Sequence, residues 1–393
     1  MKMNLELTTI KAGRFYIDPV LVSASIGLLL IGYIMVASSS LHLGAKMADN
    51  SMYYPIRQLA HIGLGLFLAA VAFCVPLKIW ENIGPWLFIG GIVLLLLVLI
   101  PGVGVKVNGS VRWISVSGFR IQVSEVVKLI SVVYVAGYVT RHQDTVQTSA
   151  YGLVRPLAMF SIACVLLLLE PDFGSAVVIL TIALGIMFLG GARLWQFGIL
   201  LALVAASASL LVVFSPYRLK RVISFLDPWA DPLDTGFQLV QALISFGRGE
   251  WLGVGLGSGI QKLFYLPEAH TDFLFSVIAE ELGLMGVVIV ILMFALFVWR
   301  AFAVAVLAET AGNPFAAFTA YGIGIWFGFQ SFINMGVNMG LLPTKGLTLP
   351  LMSYGGGSMI VMCASVALLF RVCSEVHEVR ASQPKGKPLW NGV

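Results

Sequence analysis

The sequence predicts an all-α integral membrane protein with about ten transmembrane helices and one large periplasmic loop between spans 7 and 8. Of its 393 residues, 59% are hydrophobic and 11% are charged, whereas about a quarter of the residues of a soluble domain are charged. The apolar runs are continuous and roughly 20 residues long, the length that a helix needs to cross ~30 Å of hydrocarbon. Strands of an outer-membrane barrel would alternate in polarity instead. Composition and run length therefore exclude a soluble domain and a barrel.

Apolar runs of suitable length follow one another along most of the chain. The predicted spans are 18–40, 56–75, 84–101, 121–140, 152–169, 173–190, 194–214, 273–299, 315–341 and 348–371. The first run is longer than the core of a signal peptide, which has about 7 to 15 residues, so it is a retained span. An even number of spans puts both termini on one side. The predicted organisation is a cytoplasmic segment 1–17, a membrane domain 18–371 and a cytoplasmic tail 372–393.

Charge gives the orientation of the chain. Lys2, Lys11 and Arg14 precede the first span, whereas Lys46 is the one cation in the next loop, and cations concentrate on the cytoplasmic side of a membrane. The N-terminus is therefore predicted to lie inside. Many cations nevertheless fall outside: Lys106, Arg112, Arg120, Arg218, Lys220, Arg221, Arg248, Lys262 and Lys345. A multiply anionic ligand at the outer face would explain them, and neutralisation of loop acids or contact with lipid headgroups is the alternative for each one.

The only long loop, 215–271, joins spans 7 and 8. Loops of this length are usually functional or disordered, and the many aromatic residues in this one predict that it is ordered. Asp234, Thr235 and Gly236 look like a helix start, which predicts a short helix from Phe237. The loop ends in a stretch that places Glu268, His270 and Asp272 within five residues, directly before an apolar helix.

Polar residues inside predicted spans are costly and point to function. In the fourth span, Arg120 and Lys128 are eight residues apart on one helix face, and Glu125 precedes Lys128 by three residues, which suits a salt bridge. An internal Glu125–Lys128 pair that holds the helices together is the alternative to a ligand-binding role.

Two further polar stripes have the spacing of one helix face. They are Asp272, Ser276 and Glu280 in the eighth span and Gln330, Asn334 and Asn338 in the ninth. Asp272 at the helix mouth could be a simple N-cap that the helix dipole keeps ionised, but the crowding of acids and His270 around it favours a functional role. The amides are expected to face the protein interior or a wet cavity, with interhelical hydrogen bonding as the alternative.

Several chemistries lack their motifs. The chain has no G-x-x-x-x-G-K-[ST], H-E-x-x-H or G-x-S-x-G pattern, and its histidines and cysteines are scattered. ATP hydrolysis, zinc proteolysis and a serine hydrolase are therefore unsupported, and no resident metal site is predicted.

The chain resembles the SEDS family (shape, elongation, division and sporulation) over nearly all ten spans. The resemblance rests on Asn108-Gly109, Arg112-Trp113, Arg120-Ile121-Gln122, Glu125, Lys128, Leu169 to Ser175, Arg218, Arg221, Phe225 to Trp229, Gly236-Phe237-Gln238, Pro267-Glu268, His270 to Phe273 and Ser353 to Gly356. The stretch Leu342 to Pro350, preceded by Asn334 and Asn338, is similar to the division branch. One departure is Val123, where the family commonly has Pro, which bears on how the fourth helix starts.

The resemblance implies a peptidoglycan glycosyltransferase that polymerises lipid II into glycan strands at the outer face of the bacterial cytoplasmic (inner) membrane, at the division septum. It implies that Asp272 is catalytic, and that Arg120, Lys128 and Lys345 matter for activity. With Arg112, Arg218 and Arg221, these cations are the candidates for binding the lipid II pyrophosphate. The candidate cavity-lining residues are Glu125, His270, Ser276, Glu280, Gln330, Asn334, Asn338 and Ser353.

No cofactor is required by this chemistry, since the donor carries its own activation, and a divalent cation (Mg²⁺ or Mn²⁺) near Asp272 is optional. The expected partners are lipid II, a class B penicillin-binding protein acting as septal transpeptidase, other divisome membrane proteins and membrane lipids, with no nucleic acid. The rival hypotheses are a lipid II flippase, which would also want cations and broken helices, and a divisome scaffold.

Overall fold

The fold is mostly helical, with two small antiparallel sheets. The structure, a computed structural model, describes residues 10–12, 15–107, 110–116, 119–234, 236–343 and 346–382. The strands are β1 (Ile10–Ala12), β2 (Phe15–Ile17), β3 (Gly104–Val107), β4 (Ser110–Val116) and β5 (Phe119–Gln122). The helices are α1 (Pro19–Ala48), α2 (Tyr53–Cys74), α3 (Leu77–Leu99), α4 (Val123–Arg141), α5 (Gln143–Thr148), α6 (Tyr151–Leu169), α7 (Phe173–Leu189), α8 (Leu194–Val213), α9 (Pro216–Leu226), α10 (Phe237–Gly249), α11 (Leu274–Thr310), α12 (Pro314–Asn338) and α13 (Gly356–Ser382).

The predicted membrane character is confirmed. Within the described residues, eight helices are long and apolar enough to cross a membrane: α1, α2, α3, α4, α6, α11, α12 and α13. The apolar helix α7 is shorter, with 17 residues, and α8 has 20. One helix therefore matches each of the ten apolar runs, while the crossing of all ten, and the position of the long loop, stay predictions.

Several helix boundaries differ from the predicted runs: α1 continues to Ala48, α3 begins at Leu77 and α11 continues to Thr310. Two further differences have a local cause. The fourth run was expected to be helical from 121, but β5 ends at Gln122 and α4 begins at Val123, the first helical position, where the family's Pro would also be accepted. The tenth run was expected at 348–371. Pro350 and the left-handed Leu351 keep the chain irregular up to α13, which begins at Gly356 and continues to Ser382, beyond the predicted end of the run.

The three-stranded sheet between α3 and α4 was not predicted. β4 pairs with β3 and with β5 in antiparallel fashion, with Ile114 opposite Ile121 and Ser115 opposite Arg120. Its signal is the β-branched alternation of Ser110–Val116, which is short beside the long apolar runs. The sheet moves Arg120 off the helix that carries Lys128, so the two cations do not share a helix face.

The helices that carry the polar stripes form the centre of the bundle. Most of α4, α12 and α13 is buried, whereas most of α2 and α3 is exposed. Buried amides therefore have protein partners rather than lipid around them, as the sequence predicts.

Helix α11 is broken at Gly283, which has φ 65° and ψ −163°. The loop after α10 fills the break: Val254 N donates to Glu280 O (3.0 Å) and Gly255 N to Glu281 O (3.1 Å). In return, the Leu284 and Met285 amides donate to carbonyls of the loop, Leu284 N at 2.9 Å from Glu250 O. The backbone groups freed by the break are thus paired, as an apolar environment requires.

The loop can approach the backbone of α11 closely only because the residues at the contact are glycines, which have no side chain. A Cβ on Gly249, the last residue of α10, would lie 1.8 Å from Ala279 O, and one on Gly253 would lie 2.1 Å from Glu281 O. Both atoms are backbone oxygens of α11, so neither can move aside cheaply. Gly247, also in α10, has no atom within 4 Å of its Cβ position.

We expect Gly249→Ala to destabilise the protein and Gly247→Ala to leave it as stable as the wild type. Overpacking against backbone costs about 1–3 kcal/mol or more, whereas an unobstructed Gly→Ala change in a helix is neutral or favourable. Thermal unfolding of the detergent-solubilised variants measures the difference. Equal unfolding temperatures for the two variants would contradict the packing described here.

Candidate active site

Two amides of α12 fix the backbone at Asp272. The side-chain nitrogens of Asn334 and Asn338 both donate to the Asp272 carbonyl, at 2.9 and 3.0 Å. The Asn338 side-chain oxygen accepts from the amide and the hydroxyl of Ser276, at 3.1 and 2.7 Å. Asn334 also donates to Leu347 O at 2.6 Å. The predicted stripes therefore meet: the amides of α12 hold the start of α11, and with it Asp272, in one place.

Asp272 is half-buried as a residue and is not a helix cap. The N-cap of α11 is Phe273, with no side-chain cap bond, and a Cβ on Gly346 would lie 3.1 Å from Asp272 Oδ2. Burial and the Glu268 carboxylate raise the pKa of Asp272 to about 7, against the lowering effect of Arg112 and with a further rise from Asp172. Burial and the neighbouring acids thus oppose the ionisation that the position at the helix mouth was expected to favour.

His270 packs among tyrosines beside Asp272. Its ring centroid lies 5.1 Å from that of Tyr54 and 5.4 Å from that of Tyr354, and its carbonyl accepts from Tyr354 N at 2.9 Å. Burial lowers the pKa of His270, partly offset by Glu268, which favours the neutral ring. Ser353 precedes Tyr354 in the chain, and its hydroxyl accepts from Leu349 N at 2.9 Å.

Arg112 joins the three-stranded sheet to the turn between α6 and α7. From β4, its Nε and Nη2 donate to the carbonyls of Glu170 (3.1 Å) and Pro171 (2.5 Å). Its charge acts on Asp272, as noted above, so this cation stands in the same neighbourhood as the candidate catalytic carboxyl.

Glu170, whose carbonyl accepts from Arg112, was not among the predicted site residues. It is 1% exposed, and neither carboxyl oxygen has a hydrogen-bond partner in the part of the chain that the structure describes. Burial, then Asp172, raise the pKa of Glu170 to about 8, against a lowering effect of Arg112. The motif Leu169 to Ser175 was the available signal, but a Glu before Pro gives no sign of burial.

Lys128 is enclosed by protein groups. Its ammonium lies 2.7 Å from Glu125 Oε1 and 2.9 Å from Gln330 Oε1, with no exposed surface. The other Glu125 oxygen accepts from Ser358 at 3.3 Å, and Gln330 Nε2 donates to Thr348 O at 2.9 Å. The internal ion pair that the spacing offered as an alternative is present, and a role of Lys128 toward phosphate stays a prediction.

The structure describes the remaining predicted cations only in part. Arg120 is exposed on β5. Arg218 and Arg221 lie in the amphipathic helix α9, and their side chains are outside the described part of the structure. Lys345 is outside the described residues as well.

Glu280 belongs to a different cluster from Asp272, although the spacing put both on one face. Its carboxylate lies 3.2 Å from Arg248 Nη1 and accepts from Ile260 N at 2.9 Å, so it points toward the long loop. Lys262 likewise pairs with Glu281. For Arg248 and Lys262, the neutralisation of nearby acids that the sequence offered as an alternative is therefore observed.

No metal-binding cluster accompanies the site. Among the residues that the structure describes, no three His, Cys, Asp or Glu side chains come together in a way that could hold a metal ion.

Comparison with known proteins identifies the family. A family model described as "Cell cycle protein", covering FtsW, RodA and SpoVE, matches residues 20–378. The chain belongs to the FtsW/RodA/SpoVE family. This is the SEDS family that the motifs resembled, so the family prediction is confirmed.

The curated relatives place the chain in the division branch of the family. A protein of Methylomonas methanica named "Probable peptidoglycan glycosyltransferase FtsW" is 64% identical over 376 residues, which are 96% of this chain and 97% of the relative. A protein of Methylococcus capsulatus with the same name is 64% identical over 383 residues, with 97% and 96% covered.

Solved structures of the family share the fold. One chain, from a structure described as "Structural coordination of polymerization and crosslinking by a peptidoglycan synthase complex", is 29% identical, with a TM-score of 0.74 over 93% of this chain and 99% of that chain. The rod shape determining protein RodA of Thermus thermophilus is 26% identical, with a TM-score of 0.67 over 91% of this chain and 96% of that chain.

We expect Lys128→Met to destabilise the protein strongly and Glu125→Leu/Lys128→Met to recover most of the loss. Removing one partner of a buried ion pair leaves the other charge buried without a partner, which destabilises the fold by about 3–5 kcal/mol. Replacing both partners with apolar residues is often close to neutral. Thermal unfolding measures the stability.

Turnover of the double variant separates two roles for Lys128. Recovery of stability and of turnover together would assign it a purely structural role. Recovery of stability alone would support the predicted role toward substrate. Equal stability of the single and double variants would contradict the ion-pair account.

Proposed function

We propose that this protein is a peptidoglycan glycosyltransferase that polymerises lipid II into glycan strands at the outer face of the cytoplasmic membrane during cell division. The observation that carries the proposal is Asp272 itself: its backbone is fixed by two amides, and its carboxyl has a pKa of about 7. The relatives named peptidoglycan glycosyltransferase support the same activity.

In the proposed reaction, Asp272 is the general base. A sugar hydroxyl of the acceptor attacks the anomeric carbon of the donor, and the bond from that carbon to the polyprenyl pyrophosphate breaks. The hydroxyl proton passes to the Asp272 carboxylate, and the leaving group departs as an anion. A base works best when its pKa lies near the working pH, and a pKa of about 7 makes this carboxylate far more basic than an ordinary Asp while leaving much of it ionised.

The cations stabilise the leaving group in this proposal. Fixed positive charges at developing negative charge are among the largest contributions to catalysis. The candidates are Arg112, Arg120, Lys128, Arg218, Arg221 and Lys345. Arg112 has the strongest support, because its charge acts on Asp272 and it is held on a sheet. The proposal requires no cofactor, and a Mg²⁺ or Mn²⁺ ion that took part would arrive with the pyrophosphate.

The proposal includes partners and a location. The chain shares its fold with one in a peptidoglycan synthase complex that coordinates polymerisation and crosslinking, which supports a class B penicillin-binding protein as partner, together with other divisome membrane proteins. We place the protein at the septum in the inner membrane, with both termini cytoplasmic, from the charge of the N-terminal segment and the FtsW relatives.

A lipid II flippase is the second candidate. The break in α11 and the buried amides of α12 are features that transporters also use at their binding sites. Transport does not need a base at Asp272, so loss of the carboxylate distinguishes the two functions. A scaffold would retain partner binding without either activity.

We expect Asp272→Asn to reduce polymerisation of purified lipid II by about 10²- to 10⁴-fold, because a general base contributes that much. The assay follows glycan chains made by protein co-purified with its transpeptidase partner. Asp234→Asn, an exposed change in the same loop, is the control and keeps full activity. Polymerisation by a folded Asp272→Asn variant would refute Asp272 as the base, and transport of lipid II without polymerisation by the wild type would favour the flippase.

We expect the rate to fall about tenfold per pH unit below pH 7, since protonation of the Asp272 carboxylate removes the base. The Glu268 charge raises this pKa, so Glu268→Gln shifts the midpoint of the profile to lower pH. Glu250→Gln, at an exposed position earlier in the same loop, leaves the midpoint in place. A midpoint near pH 4 in the wild type would contradict the raised pKa.

A further inference from the structure

A stretch without helix or strand leads to Asp272. This connecting segment, residues 250–273, runs from the end of α10 to the start of α11. It contains left-handed residues at Glu250, Phe264 and Glu268, so its course is not one that a regular element would impose. Its shape must therefore come from contacts with the rest of the protein.

The start of the connecting segment is held by Glu281. Lys262 Nζ lies 2.5 Å from Glu281 Oε1 and 2.9 Å from the hydroxyl of Ser38 in α1. Ser38 donates to Glu281 Oε2 at 2.7 Å, and Gly257 N donates to the same oxygen at 2.9 Å. The Lys262 and Glu281 side chains are 2% and 0% exposed. One buried carboxylate thus joins α1, α11 and the connecting segment.

Glu280 holds the next turn of the same segment. Its carboxylate accepts from Ile260 N at 2.9 Å and from Gln261 N at 3.2 Å. The segment passes directly over both acids, since a Cβ on Gly259 would lie 2.9 Å from Glu280 Oε2 and 3.0 Å from Glu281 Oε1. Beyond this point, Leu266 N returns to Gln261 O at 2.8 Å.

The other end of the segment is held by α12 and by the irregular stretch before α13. The carbonyl of Asp272 accepts from Asn334 and Asn338, and that of His270 accepts from Tyr354 N. Asp272 therefore lies at the end of the connecting segment, and buried polar groups anchor that segment near Lys262 and again at its end. Release of the first anchor removes one constraint on residues 263–269, which lie between Lys262 and the anchored His270, while the α12 amides still hold the Asp272 carbonyl.

We propose that Lys262 and Glu281 are positioning residues for the reaction: their buried ion pair sets the course of the connecting segment and so the direction of the Asp272 carboxyl. The pair touches neither substrate nor reacting atoms. The proposal rests on the assignment of Asp272 as the base. Its physical reason is that misplacement of a reacting group by about 1 Å can cost a hundredfold in rate.

A second buried ion pair on the same helix provides a matched control. Arg300, near the other end of α11, lies 2.5 Å from Asp18, which precedes α1, and both are buried. This pair also joins α1 to α11, but it makes no contact with the connecting segment. A purely structural role of buried pairs would make the two behave alike.

The test compares Lys262→Met/Glu281→Leu with Asp18→Asn/Arg300→Met, and uses Lys262→Met/Glu281→Gln as a milder variant that retains an acceptor for Gly257 N. Paired replacements avoid a stranded buried charge. Turnover of lipid II gives kcat and KM for folded protein. Hydrogen exchange of the amides of Val254, Gly255, Gly257 and Ile260, which donate to α11, reports the anchoring.

We expect the Lys262/Glu281 variant to show at least about tenfold lower kcat with KM within about twofold of wild type, together with faster exchange at those amides. The milder variant shows a smaller change of the same kind. The Asp18/Arg300 control keeps the wild-type kcat in its folded fraction, with unchanged exchange in the connecting segment.

Three results would overturn the proposal: wild-type kcat in the Lys262/Glu281 variants, a loss of kcat without faster exchange, or an equal loss in the Asp18/Arg300 control. Failure of both Lys262/Glu281 variants to fold would also reject it, in favour of a folding role. Asp272→Asn in the same assay tests the base separately, and the exchange data report anchoring whether or not Asp272 is the base.

Discussion

Pairing of backbone polar groups inside the membrane domain is the constraint on which the structure depends. A helix satisfies its own backbone, so a break in one must be satisfied from outside. Helix α11 breaks at Gly283, and the loop after α10 supplies the partners. That choice requires glycine at 249 and 253, where the loop backbone meets α11. It also brings the connecting segment against the buried acids Glu280 and Glu281. The position of Asp272 follows from the same arrangement.

Asp172 and Asp272 differ in which of their groups the neighbouring residues bind, and this difference separates a structural role from a chemical one. The Asp172 carboxylate accepts hydrogen bonds from Ser124, from Ser175 and from the Gln122 amide, and it caps α7. At Asp272, the polar anchors meet the backbone carbonyl instead. The first arrangement occupies the side chain, whereas the second fixes the residue and directs the side chain's chemistry outward. This difference favours Asp272 as the group that reacts.

Much of the helical architecture could be predicted from the sequence, because crossing a membrane imposes a length and a composition that each run displays. The short-range polar features were also accessible: the three-residue spacing of Glu125 and Lys128 suits the ion pair that is observed. The amides at Asn334 and Asn338 were expected to face inward, and they do. Local periodicity is enough for such pairs, since helix geometry alone brings them together.

Features that depend on distant partners could not be predicted. Nothing around Gly283 distinguishes it from a glycine in an intact helix, because its left-handed backbone is imposed by the loop that packs there. Glu280 shares a helical spacing with Asp272 yet pairs with Arg248, which precedes it by a loop and a helix end. The sheet of β3, β4 and β5 was not predicted, because its alternating pattern is short beside the long apolar runs on either side. Glu170 gave no sign of burial, since its environment is assembled from α6, α7 and the sheet.

The long-range pairing of α1 with α11 has a consequence for how the chain is made. Asp18 finds Arg300 across 282 positions of sequence, and Ser38 finds Glu281 across 243. Neither contact can form before α11 has been translated and inserted beside α1. Bringing such distant positions together costs loop-closure entropy before the contact is gained. Docking of α11 onto α1 therefore follows the synthesis of all the helices that lie between them in the chain.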